Sequence, residues 1–451
     1  MGPLDTVAWA LTRAGCEPPA FGLMLFLDGV AKVAALEESL WKLCDRSTRL
    51  RQRVADVPLD LAPPEWVEDE RFEIGRHFQR ASSRARSIPA LLRAARMDLD
   101  RRLAVDPPLW RAVLYDRLPH ERSATLLQFH PSTTDGLGPS RLLAKIYGTE
   151  LPVDPSAGGF SLTPRLTSAD ALLWRALQFN WDDLPDLVTS AMPTLLPESL
   201  VDPRSWMTRA PDTRWLTQLG AGLLGRSTAP TTARARRRSR RLFTCELEAD
   251  AIDQAGERLG CDDHTILAHV LACALARARR EAKLTDLPTE VWLPVQLAAR
   301  RGPVLVDASI DGTQSIDQRS LRRFERSLRP RALARRWARY RLLARTVLAL
   351  PAPVLRAAWT PWSRQRDIVH LTIHGEKRVD RFAGCKVRAI VPWVAPADRT
   401  PIAIAAHRYR DRYSLGCDID PYAAPPPSEI QAAVLETGAE RGRGRPPRRW
   451  G

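Results

Sequence analysis

Thr125–Gly138 reads TLLQFHPSTTDGLG. Its first residues, Thr125 to Phe129, form the short apolar-rich run of a strand, and from His130 onward a cluster of Ser, Thr, Asp and Gly ends that strand in a loop. His130, Asp135 and Gly136 lie close together there, as they would in an active-site loop. Pro131 stands among them, removing a backbone donor and restricting the residue before it to extended conformations.

Working outward, PLWRAVLYDRL and SATLLQFH bracket the short connection PHER, which predicts an antiparallel hairpin. FGLMLFLDG from Phe21 is a further strand ending in a turn, and VAALEESLWKLCDRS places Val33, Leu36, Leu40 and Leu43 at helical spacing. IPALLRAARMDLDRRL is a second helix. Beyond Leu151 the composition shifts to proline, serine, tryptophan and arginine, which marks a crossover carrying a helix or two. Order returns with RLFTCELEAD as a strand, AIDQAGERLG as a helix ending at glycine, and DDHTILAHVLACALARARRE as a longer helix that Asp262 or Asp263 could cap. TEVWLPVQL, CKVRAIVPWV, TPIAIAAHRY and RYSLGCDID supply more strands, the last two as a hairpin. The fold class is therefore α/β with mixed sheets, in two similar domains.

The 451 residues carry a formal charge of +16, mostly arginine, clustered in RARRRSRR (Arg234–Arg241), in the helix-like stretch 319–345, and in the tail. Such clusters fit anionic partners: membrane phosphates, CoA phosphates or nucleic acid. Arginine used in place of lysine on solvated faces is the plainer alternative. No nucleic-acid module accompanies the basic runs. Seven scattered cysteines without a C-x-x-C pair argue against a disulfide framework or zinc site, and fit a cytosolic setting. No secretory signal is evident, and no run reaches the ~18 apolar residues of a spanning helix.

The order and spacing of several segments resemble the bacterial wax ester synthase/diacylglycerol acyltransferase family, within the CoA-dependent acyltransferase superfamily that includes peptide-synthetase condensation domains. The segments are PLDTVAWAL, RQRVADVPLDLAPPEWVEDERFEIGRHFQR, PPLW at Pro107–Trp110, HPSTTDG, the strand and helix from Leu242 to Arg277, and the basic helix from Arg319. The resemblance implies two chloramphenicol-acetyltransferase-like domains with a tunnel between them. The implied boundaries are 1–150, a crossover at 151–240, 241–435, and a basic disordered tail at 436–451. It also implies transfer of an acyl group from acyl-CoA, as substrate and without a cofactor, to diacylglycerol or a long-chain alcohol.

The family motif is His-His-x-x-x-Asp-Gly, whose second His takes the acceptor hydroxyl's proton, a task suited to a group of pKa ~6.5. Laid without gaps, His130 takes the first position, Pro131 the second, and Asp135 and Gly136 the last two. The general base is thus unmatched, and activity is expected to be impaired, with a non-catalytic lipid- or acyl-CoA-binding protein as the alternative. For His130 to substitute, the backbone would have to bulge, since neighbouring strand residues face opposite ways. A histidine hydrogen-bonded within the first domain's core is the plainer reading.

Pro108, Leu109 and Trp110 correspond to a family segment that shapes the acyl tunnel, or simply to a turn with a buried tryptophan. The family's Asn-Asp pair falls on Asp263 and His264, or on Asp262 and Asp263 after a one-residue slip. HLTIHG brings His370 and His374 to a place where the family has none; four apart on a strand, they would share a face, as a relocated base or as ordinary polar strand residues. No metal site is expected. The basic helix 319–345 could rest on an anionic membrane or lipid droplet, each surface arginine contributing ~1 kcal/mol, or pack as a solvated helix.

Overall fold

The computed structural model describes residues 1–16, 20–60, 62–81, 85–101, 103, 109–134, 174, 239–285, 287, 289–295, 304–312, 318–356, 367–372, 380–395 and 400–442. Pro108, Asp135, Gly136, His374, nearly all of the 151–240 crossover and the tail from 443 lie outside them.

In chain order, α1 (Pro3–Arg13) leads into β1 (Ala20–Asp28) and α2 (Val33–Arg46). A small ribbon of β2 (Gln52–Ala55) and β3 (Glu65–Glu68), then β4 (Phe78–Arg80) and α3 (Ile88–Leu99), precede the hairpin of β5 (Trp110–Leu118) and β6 (Arg122–Phe129). The second half holds β7 (Arg241–Glu248), α4 (Ala249–Leu259), α5 (Asp263–Glu281), β8 (Thr289–Val295), β9 (Val304–Ile310), α6 (Gln318–Ser327) and α7 (Pro330–Ala349). It continues with β10 (Asp367–Thr372), β11 (Arg381–Phe382), β12 (Cys385–Ala395), β13 (Ile402–Tyr409), β14 (Arg412–Ile419) and α8 (Pro427–Gly442).

The strands form two six-stranded mixed sheets, ordered β11-β12-β1-β6-β5-β4 and β7-β14-β13-β10-β8-β9. β1 reads as an unbroken apolar run because both its faces are covered. Leu23, Leu25 and Leu27 pack against Leu36, Leu40 and Leu43 of α2. On the other face Met24 packs against Leu91, Leu92 and Ala95 of α3. The β5–β6 turn places His120 and Glu121 at positive φ, 59° and 53°. Gly260, at φ 64°, closes α4 with the left-handed cap that glycine favours.

The chain does not divide between the sheets at residue 241. β11 and β12 come from the 241–435 segment, yet β12 pairs along the whole of β1, Ala20 opposite Ala395 through Asp28 opposite Lys386. Ala389 to Val394 is an apolar run that needs both faces covered: Ile390 buries in the core beside α2, Val391 and Trp393 in the core beside α3, and Val394 against Ala405 of the second sheet. The sheets meet there at close range. A Cβ on Gly416 of β14 would strike the Pro392 carbonyl oxygen and lie 2.9 Å from the Trp393 ring, so glycine admits the β12 backbone.

Two other expectations change. The basic segment is two helices, because Pro330 opens α7 and cannot continue α6. The C-terminal end of α7 packs internally: Val347 and Leu348 pack with Leu350 and Leu355 against Ala10, Leu11 and Ala14 in and just after α1. The second correction concerns the tail, expected to be disordered from residue 436. α8 runs to Gly442 because Ile430, Ala433, Val434 and Thr437 bury at helical spacing. No single described helix is long and apolar enough to cross a membrane.

Candidate functional site

β6 leaves the first sheet at His130, whose backbone N–H donates to the Leu109 carbonyl at 2.8 Å. A single 3-10 turn, Pro131–Thr134, follows, entirely buried. Thr133 Oγ1 donates to the His130 carbonyl at 2.7 Å and Thr134 Oγ1 to the Pro131 carbonyl at 2.9 Å, so the hydroxyls in the sequence PSTT hold the turn.

The His130 imidazole is committed at both nitrogens. The Ser132 backbone N–H donates to Nδ1 at 3.2 Å, and Ser132 Oγ lies 2.6 Å from the same atom. Nδ1 is therefore the acceptor. The network assigns the proton to Nε2, which donates to Thr12 Oγ1 at 2.9 Å, and Thr12 in turn donates to the Ala8 carbonyl at 2.8 Å. Trp9 stands edge-on to the ring at 6.0 Å. His130 thus ties the end of β6 to α1, and burial pushes its pKa down to about 4.

His77 and His370 are pushed down by burial as well, to about 4 and about 3. All three histidines fold neutral, whereas in the unfolded chain each protonates near 6.5. Below 6.5 the unfolded state binds more protons than the folded one, so stability is complete above that pH and is lost as pH falls toward 4. In urea titrations the unfolding midpoint is expected to fall between pH 6.5 and 4.5, with His130→Gln reducing the proton uptake by about one. A midpoint flat across that range would contradict this.

Leu109 and Trp110 are buried, 3 % and 1 % exposed. Trp110 Nε1 donates to the Leu50 carbonyl at 2.8 Å, and its ring stacks on His77 at 4.4 Å and lies near-parallel to Phe129 at 6.3 Å. Its place is the core under α2.

Asp263 and His264 open α5. Asp263 Oδ1 accepts from the His264 backbone N–H at 2.7 Å, and Oδ2 accepts from Tyr413 Oη at 2.6 Å with Arg408 at 3.6 Å. Hydrogen bonding to His264, then to Tyr413, outweighs burial and holds this carboxyl well below the usual range. Asp262, at the N-cap, makes no side-chain cap bond. Asp263 therefore fastens α5 to β13 and β14. No described hydrogen bond joins this group to His130.

His370, on β10, is 0 % exposed. Strand alternation turns its neighbours Val369 and Leu371 into the helix-side core of the second sheet and His370 to the opposite face, toward the first sheet. Its ring lies 5.4 Å from that of Phe21. Among the described residues neither ring nitrogen has a hydrogen-bond partner on another residue. Thr12, and the place of Phe21 beside His370, were absent from the sequence reading because they reach the site only through long-range packing. Ser132 was legible, since a hydroxyl two residues after a histidine often folds back on it. Among the described residues no three His, Cys, Asp or Glu side chains cluster as a metal would require.

Comparison with known proteins adds an independent line. The family model described as "Wax ester synthase/diacylglycerol acyltransferase catalytic domain" matches residues 25–264. A Mycobacterium tuberculosis protein named as a diacylglycerol O-acyltransferase, Rv2484c, is 29% identical over 181 residues, 39% of this chain and 36% of its own length. The similarly named tgs1 of the same organism is 32% identical over 127 residues, 28% of this chain and 27% of its own. The match thus spans about a third of these curated relatives. Among solved structures, the wax ester synthase/diacylglycerol acyltransferase from Marinobacter aquaeolei VT8 superposes with a TM-score of 0.53 at 16% identity, covering 98% of each chain. A starter condensation domain of rhizomide synthetase RzmA, solved with C8-CoA, gives 0.51 at 15% identity over 98% of this chain and 94% of that one. At these identities the structures establish the two-domain condensation-type fold.

Proposed function

Since this chain belongs to the wax ester synthase/diacylglycerol acyltransferase family, we propose that it binds an acyl-CoA and an acylglycerol or long-chain alcohol between its two sheets, and that acyl transfer between them is impaired. In that reaction the acceptor oxygen attacks the thioester carbonyl, its proton passes to a base, and the thiolate leaves and is reprotonated as CoA. Pro131 stands where the family motif has its base and has no group that accepts the proton.

The observation that supports impairment is the His130 network. Nδ1 receives Ser132, Nε2 donates to Thr12, and no lone pair is left for an incoming hydroxyl. Asp135 and Gly136, which match the rest of the motif, are proposed to keep the loop's turn. Asp263 and His264 are proposed to support the tunnel wall through Tyr413 and Arg408 rather than to touch substrate. The same network favours a second reading, a non-catalytic acyl-CoA-binding protein, in which transfer is absent altogether. Exposed Arg322, Arg323, Arg326, Arg329 and Arg331 on and between α6 and α7 support contact with CoA phosphates or an anionic lipid surface.

Purified protein, palmitoyl-CoA and either hexadecanol or dioleoylglycerol test this. Palmitoyl-CoA is expected to bind, with turnover about 10²- to 10⁴-fold below that of an enzyme using a positioned base. Any residual turnover should survive His130→Ala in protein that remains folded. Rapid turnover abolished by that substitution would show that His130 is the base.

A further inference from the structure

One row crosses the second sheet in register: Thr244 on β7, Gly416 on β14, Ala405 on β13, His370 on β10 and Trp292 on β8. Along it the two sheets touch. Gly416 lies under the Pro392 carbonyl and Trp393, and Ala405 packs with Phe21 and Val394. His370, the next in the row, reaches the Phe21 ring. Phe21 is paired with Phe129, the residue before His130. The imidazole therefore lies one aromatic ring and one strand spacing, about 5 Å, from the strand that ends in the Pro131 turn.

An imidazole buried at such a seam with neither nitrogen bonded to another described residue is costly, because it gives up its hydrogen bonds to water without replacing them. Phenylalanine or leucine would fill the same space without that cost. His407, two residues along β13 from Ala405 and buried on the same face, has a partner of its own. His370 is thus the group that could serve a ligand. In its neutral form it offers one N–H donor and one bare nitrogen acceptor, the complement of a hydroxyl, which accepts one hydrogen bond and donates another. Its surroundings, Phe21, Val394 and Ala405, suit an aliphatic chain and disfavour an anion.

We propose that His370 is the polar anchor of an acceptor site at the seam of the two sheets, holding the hydroxyl of a long-chain alcohol or acylglycerol. This rests on the acyl-acceptor reading above and adds to it the residue that positions the acceptor oxygen. Dodecanol fills the role with one hydrogen bond given and one received; dodecane fills the same apolar space with none.

The full chain, loaded with a pyrene-labelled alkyl probe, is titrated with dodecanol, dodecane, palmitate and palmitoyl-CoA. In wild type dodecanol is expected to displace the probe about tenfold more tightly than dodecane, the equivalent of one well-made buried hydrogen bond. His370→Phe should bring the two within about twofold, while His370→Gln, which keeps a donor and an acceptor, should retain several-fold preference. Thermal unfolding should find His370→Phe at least as stable as wild type, since an unbonded buried group has been removed. Preference for the alcohol that survives in His370→Phe would overturn the proposal. So would equal binding of alcohol and alkane in wild type, which would mean that the imidazole is served by solvent. A His370-dependent preference for palmitate over dodecanol would overturn the hydroxyl assignment. Should palmitoyl-CoA displace the probe while the alcohol shows no preference, only the role of His370 falls. Should none of the four compete, the acyltransferase-site reading falls with it.

Discussion

Pro131→His is expected to raise acyl transfer from palmitoyl-CoA to hexadecanol by about 10²- to 10⁴-fold over wild type, the usual effect of a positioned general base. The turn that carries residue 131 is held by hydroxyls that bond backbone carbonyls, Thr133 to His130 and Thr134 to Pro131, and neither bond depends on the side chain at 131. Histidine restores a backbone N–H that proline lacks and is free of proline's fixed φ. His130 stays engaged with Ser132 and Thr12, so the new imidazole is the one with a free nitrogen. Two controls isolate the base. Pro131→Ala relieves the same backbone constraint and should give no gain. The gained rate should rise with pH through the range where imidazole loses its proton, near 6.5, because the base must be neutral to act. A folded Pro131→His protein that binds palmitoyl-CoA as wild type does, yet transfers no faster, would show that more than the base has been lost.

Where periodicity is local, the sequence and the structure agree. Leu36, Leu40 and Leu43 placed α2, the short connection PHER placed the β5–β6 hairpin, and Gly260 closed α4. The placement of β12 was hidden, since its apolar run is equally at home in either sheet and nothing local specifies pairing with β1, more than three hundred residues earlier. The same holds for the site. His130 is held by a bond to Thr12, which is 118 residues away, so no local pattern shows what fixes the ring. The burial of His370 was hidden because a lone histidine in a strand carries no mark of it, and the close approach of the sheets at Gly416 and Ala405 is a long-range feature.

Asp418→Ala is expected to destabilise the fold by about 3–5 kcal/mol, the cost of leaving a buried charge without its partner. Asp418, on β14, is 1 % exposed. Its Oδ1 accepts from Arg240 Nε at 2.7 Å and its Oδ2 from Arg96 Nη1 at 3.1 Å. Arg240, itself buried, also donates to the carbonyls of Asp418 and Thr400, fixing the end of the crossover where β7 begins. Arg96 comes from α3 and also bonds Asp100, so one carboxylate ties the first half, the crossover and the second half together. Removing it leaves Arg240 bonded to two neutral carbonyls, and both Arg240 and Arg96 dependent for charge on nearby Asp100, which burial pushes toward the protonated form. The urea midpoint should drop with its slope unchanged, as for a loss of stability without a change in the surface exposed. The loss belongs to unpaired charge rather than to missing volume. Replacing all three together, Arg96→Met, Asp418→Leu and Arg240→Met, should therefore recover most of it, because apolar side chains of similar size need no partner. A triple variant as unstable as Asp418→Ala alone would mean that the directed bonds to the Thr400 and Asp418 carbonyls, and not charge pairing, hold the two halves in place.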